Sequence, residues 1–186
     1  MRPGSGTPDR DDKSITLVSS IAGFKESPGL FAYSASKHGV MGLMRSLRGY
    51  LPSTFNVRIN VVCPWATDTE MLGCVRDLWR QNSLPMNSPG DVARTILQCA
   101  ADESIHGKAV YVADGQGFDI EEGLDVTEPI WLGKKQAEEL ARGQEVLGKV
   151  RKSLIDLGTW FFTNPSFLGV IVDNQENLED SILKLE

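Results

Sequence analysis

The chain has 186 residues, of which 41% are hydrophobic, and a formal net charge of -6 at pH 7. This length and composition predict one α/β domain with a real hydrophobic core and exclude a disordered or fibrous protein. The acidic balance and the lack of a basic tract argue against nucleic acid as a partner.

The cysteines and histidines show no metal-binding pattern. Cys63, Cys74 and Cys99 lack the Cys-x-x-Cys spacing of a zinc site, and their odd number does not suggest a disulfide framework. His38 and His106 each stand without a partner at ligand spacing. We therefore predict reduced core thiols and assign no metal.

The N-terminus is predicted to be a flexible arm. Residues 1–13 are rich in Gly, Pro, Ser and charged residues and contain no apolar signal segment. Near the other end, residues 160–172 are apolar but too few to span a bilayer. A cytoplasmic protein without a membrane partner is expected.

The first predicted strand covers residues 14–19, an apolar and β-branched run. Ser20 follows it directly, at the end of the strand where α/β folds bind ligands. Its hydroxyl could there donate a hydrogen bond to a carbonyl oxygen. A serine pair at a strand end is also ordinary turn chemistry, so Ser20 is a weak signal by itself.

A helix is predicted from about Tyr33 to Leu51. Tyr33 and Lys37 are four residues apart and so project from the same helix face. A neighbouring ammonium favours the ionised phenol, which would let Tyr33 act as a general acid or base. Tyr-x-x-x-Lys alone occurs on many exposed helices, so its weight depends on Ser20, thirteen residues earlier. An apolar stripe is expected to face the core: Val40, Leu43, Met44, Leu47 and Leu51.

The next elements are a chain break, a strand and an apolar helix. Pro52 is predicted to break the first helix, and residues 57–63 form the second strand. Thr69 is predicted to be the N-cap of a helix over residues 70–81. Its apolar residues either pack on the body or cover a hydrophobic substrate: Met71, Leu72, Val75, Leu78 and Trp79.

The later elements complete an alternating α/β pattern. Ser88, followed by proline and an acidic residue, begins a helix, and residues 108–113 form a third strand that ends in Asp-Gly. Residues 121–128 are predicted to be an acidic loop, and residues 134–154 a polar helix. Four residues of the helix after Ser88 are expected to face inward: Val92, Ile96, Leu97 and Ala100.

Ser20, Tyr33 and Lys37, with the Ser-Ala-Ser-Lys-His-Gly run after the tyrosine, closely resemble the active-site segment of the short-chain dehydrogenase/reductase family. Hydroxyprostaglandin dehydrogenase-like and fungal secondary-metabolism members are the most similar in character. The resemblance spans residues 14–120. It implies that Ser20 orients a carbonyl group, Tyr33 transfers the proton, and Lys37 assists the tyrosine.

The resemblance also implies NAD or NADP as cofactor. Tyr33 and Lys37 would contact its ribose and nicotinamide end, Thr67 would bind the carboxamide through its backbone, and Thr69 would bind it through its side chain. Trp65 departs from the family pattern, because glycine usually stands there. The apolar residues after Thr69 correspond to the substrate lid of the family, and suggest a hydrophobic small-molecule substrate.

The family's glycine-rich dinucleotide fingerprint is not found. The glycines at 4 and 6, and those at 115 and 117, both lack the third glycine. We therefore expect the C-terminal half of a Rossmann-like, doubly wound parallel sheet in an N-terminally truncated chain, with residues 121–186 as an extension.

Two functions remain open at this stage. One is an NAD(P)-dependent oxidoreductase. The other is a catalytically silent remnant that acts as a partner or regulatory subunit, as a homo-oligomer or paired with a full-length homologue.

Overall fold

The computed structural model describes residues 13–73 and 75–150. The chain divides into two compact units, and the division falls between Val126 and Thr127. The predicted arm (apart from Lys13), Cys74 and the extension beyond residue 150 lie outside the described residues. The strands are β1 (Lys13–Val18), β2 (Val57–Pro64), β3 (Ala109–Ala113) and β4 (Gln116–Asp119). The helices are α1 (Phe31–Leu47), α2 (Leu51–Phe55), α3 (Arg76–Gln81), α4 (Pro89–Ala101), α5 (Ile120–Trp131) and α6 (Lys134–Lys149).

The first unit contains one four-stranded sheet in the order β1-β2-β3-β4. β1, β2 and β3 are parallel, whereas β4 pairs antiparallel with β3. Such parallel strands require long crossover connections, which here contain α1 and α4. The predicted α/β class with a Rossmann-like parallel sheet is confirmed.

β2 is the central strand, and it carries the core on both faces. Its residues Ile59, Val61 and Cys63 pack with Met41 and Met44 of α1. On the other face, a second cluster contains Val62 of β2, Cys99 of α4 and Val112 of β3. A strand buried on both faces needs a nearly continuous apolar, β-branched sequence, which explains the composition of this segment.

Two polar residues of β2 are also buried, on the face that packs against α4. The Arg58 guanidinium donates to the carbonyl oxygens of Cys99 (3.1 Å), Ala100 (2.8 Å) and Ile105 (2.7 Å). Asn60 donates to Ile105 O at 2.9 Å and accepts from Lys108 N at 3.0 Å. These bonds satisfy the last carbonyl groups of α4 and hold the beginning of β3 beside β2.

The apolar stripes differ from the prediction at two leucines. Leu43 of α1 is 50% exposed and Leu97 of α4 is 67% exposed, so their predicted core positions are wrong. Met41 and Met44 are the buried residues of α1. Successive residues are separated by about 100° around a helix, so a one-residue error in the stripe is enough to turn a side chain into solvent.

The first helix breaks earlier than predicted, because α1 ends at Leu47 and the segment around Pro52 forms the separate helix α2. Pro52 lies in the first turn of α2, where its missing N–H costs nothing. α2 ends at Asn56, which adopts the left-handed conformation (φ 53°) often found at helix C-termini. By contrast, the predicted helix start at Ser88 is confirmed, because Ser88 and Asp91 form a reciprocal capping box.

The predicted acidic loop over residues 121–128 is also wrong, because this stretch lies in α5. The backbone N–H of Glu121 donates to Asp119 Oδ1 at 3.0 Å, which satisfies an N-terminal donor of the helix. β4 was not predicted either. Asp114 (φ 51°) and Gly115 (φ 72°) form the tight turn between β3 and β4, a geometry for which Asp-Gly is the typical sequence.

Glu121 has a buried carboxylate that forms ion pairs with two arginines of the α1 region. It is 4% exposed and lies 2.8 Å from Arg45 and 3.0 Å from Arg48. Its hydrogen bond to Arg45 raises the pKa of that guanidinium. The acidic residues suggested a loop, but one of them, Glu121, is an internal partner of two ion pairs.

We expect Glu121→Gln to lower the free energy of unfolding by about 2 kcal/mol, since charge-assisted bonds are lost while both arginines keep part of their contact with water. Urea denaturation measures the effect. Glu122→Gln is the matched control, because Glu122 is exposed and should change stability little. Equal losses in the two variants would contradict a specific role for the buried carboxylate.

Candidate active site

Ser20 lies just beyond β1, at the carboxyl end of the sheet. Ser19 N still donates to Val62 O of β2 at 2.8 Å, and Ser20 then begins a 3-10 turn over Ile21–Gly23. Ser20 Oγ accepts a hydrogen bond from Ala22 N at 3.2 Å. Its own proton has no acceptor among the described residues, so the hydroxyl can donate to a ligand.

Close packing holds this turn against α1. Ser19 Oγ donates to Lys37 O at 2.9 Å. A Cβ atom at Gly23 would lie 2.3 Å from Ser19 Oγ and 2.8 Å from Lys37 O, closer than real contacts allow. Glycine at this position therefore lets the Ser20 turn approach the helix that carries Tyr33 and Lys37.

Tyr33 and Lys37 meet on the first turns of α1, as their spacing predicts. Lys37 Nζ lies 5.5 Å from the centroid of the Tyr33 ring and donates to Val18 O at 3.1 Å. Because Ser19 N points toward β2, the carbonyl of the preceding Val18 points away from β2. Lys37 thus connects the tyrosine to β1, the strand that precedes Ser20.

Thr67 and Thr69 lie in the segment after β2. Thr67 Oγ1 donates to Trp65 O at 3.0 Å, and Thr69 Oγ1 donates to Thr67 O at 3.3 Å. Thr69 makes no side-chain cap, and a 3-10 turn over Glu70–Leu72 follows it, with α3 beginning only at Arg76. The predicted N-cap role of Thr69 is wrong, because its hydroxyl is bound within its own loop. The predicted cofactor contacts of both threonines stay predictions.

Trp65 occupies the position of the family glycine without backbone strain. The described non-glycine residues with positive φ are Asn56, Ser83 and Asp114, so Trp65 has an ordinary φ. Its ring contacts that of Trp79 in α3 edge to face, with centroids 5.4 Å apart. Tryptophan therefore fits the local backbone geometry, and it places a large ring beside the predicted lid.

Asn87 is a structural residue of the site that no sequence motif marked. It is 1% exposed, and its side chain donates to Val112 O at 2.8 Å and accepts from Gly115 N at 3.0 Å. Its backbone accepts from Asp68 N at 2.9 Å and donates to Ala66 O at 2.8 Å. Asn87 thereby ties the loop that contains Thr67 to the end of β3.

The buried thiol near this end of the sheet is unsuited to nucleophilic chemistry. Cys63 of β2 is fully buried, and burial raises its pKa to about 12. A neutral, inaccessible thiol is a packing group. Within residues 13–73 and 75–150, no cluster of three or more His, Cys, Asp or Glu residues could hold a metal ion. In the same ranges, no helix is long and apolar enough to cross a membrane.

The fold and the site together define a Rossmann-like α/β protein with a serine and a Tyr-Lys pair at the carboxyl end of its parallel strands. Residues 8–78 match the model of the short chain dehydrogenase family. The chain belongs to the short-chain dehydrogenase/reductase family, and its relatives include fungal dehydrogenases.

Two relatives illustrate the match. The chain is 31% identical over 147 residues to 5'-hydroxyaverantin dehydrogenase of Dothistroma septosporum, covering 76% of this chain and 47% of the relative. It is 33% identical over 117 residues to 3-oxoacyl-[acyl-carrier-protein] reductase of Thermotoga maritima, covering 60% and 45%. The chain thus spans about half the length of the curated relatives it matches.

Solved structures support the same fold. The 3-hydroxyacyl-CoA dehydrogenase type-2 of Mycobacterium avium aligns with a TM-score of 0.51 at 24% identity, covering 61% of this chain and 46% of that one. A structure from Agrobacterium tumefaciens with bound NADP aligns with a TM-score of 0.50 at 21% identity, covering 56% and 46%. At these identities, the likeness shows the fold alone.

Proposed function

We propose that this chain supplies the catalytic segment of an NAD(P)-dependent oxidoreductase that interconverts an alcohol and a carbonyl on a hydrophobic small molecule. One observation carries the proposal: Lys37 Nζ lies 5.5 Å from the Tyr33 ring centroid, on the helix against which the Ser20 turn packs. Membership in a family of oxidoreductases supports it. The fungal relatives favour a role in secondary metabolism.

Each of the three side chains has a distinct role in this proposal. Tyr33 donates its phenolic proton to the carbonyl oxygen during reduction and accepts it back during oxidation. The Lys37 ammonium stabilises the negative charge that develops on the phenol as the proton leaves. Ser20 donates a hydrogen bond to the same substrate oxygen, because its Oγ already accepts from Ala22 N and keeps its proton free.

The residues present fit the nicotinamide end of the cofactor. The backbone N–H of Thr67 has no acceptor within the described part of the chain and is available to a carboxamide. Both hydroxyls of Thr67 and Thr69 donate to backbone carbonyls, so their oxygens still have lone pairs to accept a bond from a carboxamide NH₂. Lys37 would hold the ribose. When bound, NAD or NADP would supply or accept the hydride.

A comparison of two reduced nucleotides tests this proposal. All the residues assigned to the cofactor lie at the nicotinamide end, so NADH and reduced nicotinamide mononucleotide should bind with dissociation constants within about threefold, a difference of less than 1 kcal/mol. Lys37→Met should weaken both by about tenfold. Lys25→Met is the matched control, since Lys25 is exposed and paired with Glu26. Nicotinamide fluorescence reports the binding.

The competing candidate is a catalytically silent partner subunit. β1 favours it, because among the described residues it is an edge strand of the sheet and its Ile15 and Val18 are 39% and 45% exposed. An edge strand can accept another chain. Absence of saturable nucleotide binding, together with a folded circular dichroism spectrum, would refute the oxidoreductase proposal for this chain and leave this candidate.

A further inference from the structure

Five aromatic rings from separate chain segments form a connected group in the first unit. The Phe24 and Tyr111 ring centroids are 5.9 Å apart, those of Trp65 and Tyr111 6.3 Å, and those of Tyr111 and Phe118 6.1 Å. Trp79 joins through Trp65 at 5.4 Å. We call this group the aromatic wall: Phe24, Trp65, Trp79, Tyr111 and Phe118.

The aromatic wall begins next to Ser20. The β1–β2 register ends with Val18 opposite Val62, and extending it by two residues brings Ser20 to the level of Pro64, one residue before Trp65. Neighbouring strands are about 4.8 Å apart, which places Trp65 near the serine across the strand ends. Phe24 follows Ser20 by four residues, immediately after the 3-10 turn. Two rings of the wall are thus attached directly to the segments that end at the proposed site.

The ring geometry leaves aromatic surface available. Phe118 is 50% exposed, and the other four rings are partly exposed rather than buried. The Trp65–Trp79 and Phe24–Tyr111 pairs have interplanar angles of 80° and 79°. In such edge-to-face pairs, one ring presents its edge and does not use its own faces for stacking. The indole N–H of Trp79 donates to Pro85 O at 2.9 Å, so that ring already has its polar partner.

We propose that the aromatic wall is the substrate-recognition surface and that it selects a planar aromatic ring fused to the ring that contains the reacting carbon. This inference rests on the proposed function, because it places the substrate oxygen at Ser20 and Tyr33. Trp65 is the specificity-determining residue, since it links the end of β2 to Trp79 of α3. An aromatic ring can stack on the faces of these rings, whereas a saturated ring of the same size only covers them.

Two ketones with the same fused-ring skeleton provide the test. β-Tetralone has one aromatic ring, and β-decalone is its fully saturated counterpart. Isothermal titration of the full chain should show β-tetralone binding about tenfold more tightly, within the range of aromatic stacking. The saturated ketone is the more apolar of the two, so a merely hydrophobic surface would prefer β-decalone or bind both alike. Either of those results, or no binding of β-tetralone, would overturn the inference.

A pair of variants assigns the preference to the wall. Trp65→Leu should bring the two dissociation constants within about twofold of each other, because the leucine keeps an apolar surface but removes the ring. Trp131→Leu is the control, since Trp131 is 61% exposed on α5 and outside the wall. A preference that survives Trp65→Leu would exclude Trp65 as its source. If Trp65→Leu does not fold, the comparison of ketones on the unmodified chain still decides the proposal.

The outcomes also separate this inference from the proposed function. Preference for β-tetralone without any binding of reduced nucleotide would support aromatic-ring recognition by the wall and refute the proposed oxidoreductase function. Nucleotide-dependent reduction of β-decalone and β-tetralone at equal efficiency would retain the oxidoreductase and refute the wall.

Discussion

Tyr33→Phe should lower kcat for carbonyl reduction by about 10²–10⁴-fold, the usual contribution of a positioned general acid. The substitution removes the phenolic oxygen and leaves the ring, so the 5.5 Å contact with the Lys37 ammonium can persist. We therefore expect the circular dichroism spectrum and unfolding midpoint to change little. Turnover of β-tetralone with NADH or NADPH, followed by nicotinamide absorbance, measures the effect.

Tyr50→Phe is the matched control for this measurement. Tyr50 lies beyond the end of α1, where its ring packs edge to face on Phe55 with centroids 5.6 Å apart. Loss of its hydroxyl should leave kcat within about twofold of the unmodified chain, since Tyr50 lies beyond the opposite end of α1 from Tyr33. Retained turnover in Tyr33→Phe, or equal losses in the two variants, would refute the role of Tyr33 as proton donor.

Arg58→Leu should lower the free energy of unfolding by about 3 kcal/mol, a large part of the stability of a typical domain. Arg58 is 9% exposed and donates to three backbone carbonyls at the end of α4 and in the loop after it. Leucine fills much of the same volume but leaves these oxygens without that donor. Urea denaturation followed by circular dichroism gives the change.

Arg94→Leu serves as the comparison for Arg58. Arg94 is a residue of α4 itself. Its side chain is 70% exposed and makes an ion pair with Asp91, three residues earlier. Exposed pairs of this kind contribute about 0.5 kcal/mol or less. Similar losses in the two arginine variants would show that burial and carbonyl capping do not determine the contribution of Arg58.

The structure also explains why a charged residue stands in the central strand. Arg58 and Asn60 alternate with Ile59 and Val61, so both polar side chains lie on the face toward α4. There they bind the carbonyls that α4 leaves unpaired at its end. The strand could be predicted from its β-branched residues, but the partners of Arg58 come from residues about forty positions later and have no local signal.

The pairing of Tyr33 with Lys37 could be predicted from sequence because it is local. A separation of four residues on one helix places the two side chains on the same face, whatever the helix packs against. The same holds for β1, β2 and β3, whose β-branched runs mark them as strands, and for the capping box at Ser88. Short-range geometry determines all of these features.

Features that depend on distant partners were decided by the tertiary structure. Glu121 lies in a helix and is buried because Arg45 and Arg48 of the α1 region surround its carboxylate. The aromatic wall combines rings from residues 24 to 118, which only the sheet brings together. Sequence alone determined β1, β2 and β3 through their β-branched composition, and the Tyr-Lys pair through helix periodicity. The burial of charges and the surface beside Ser20 depend on contacts between segments that are far apart in sequence. No local pattern reports the energies of those contacts.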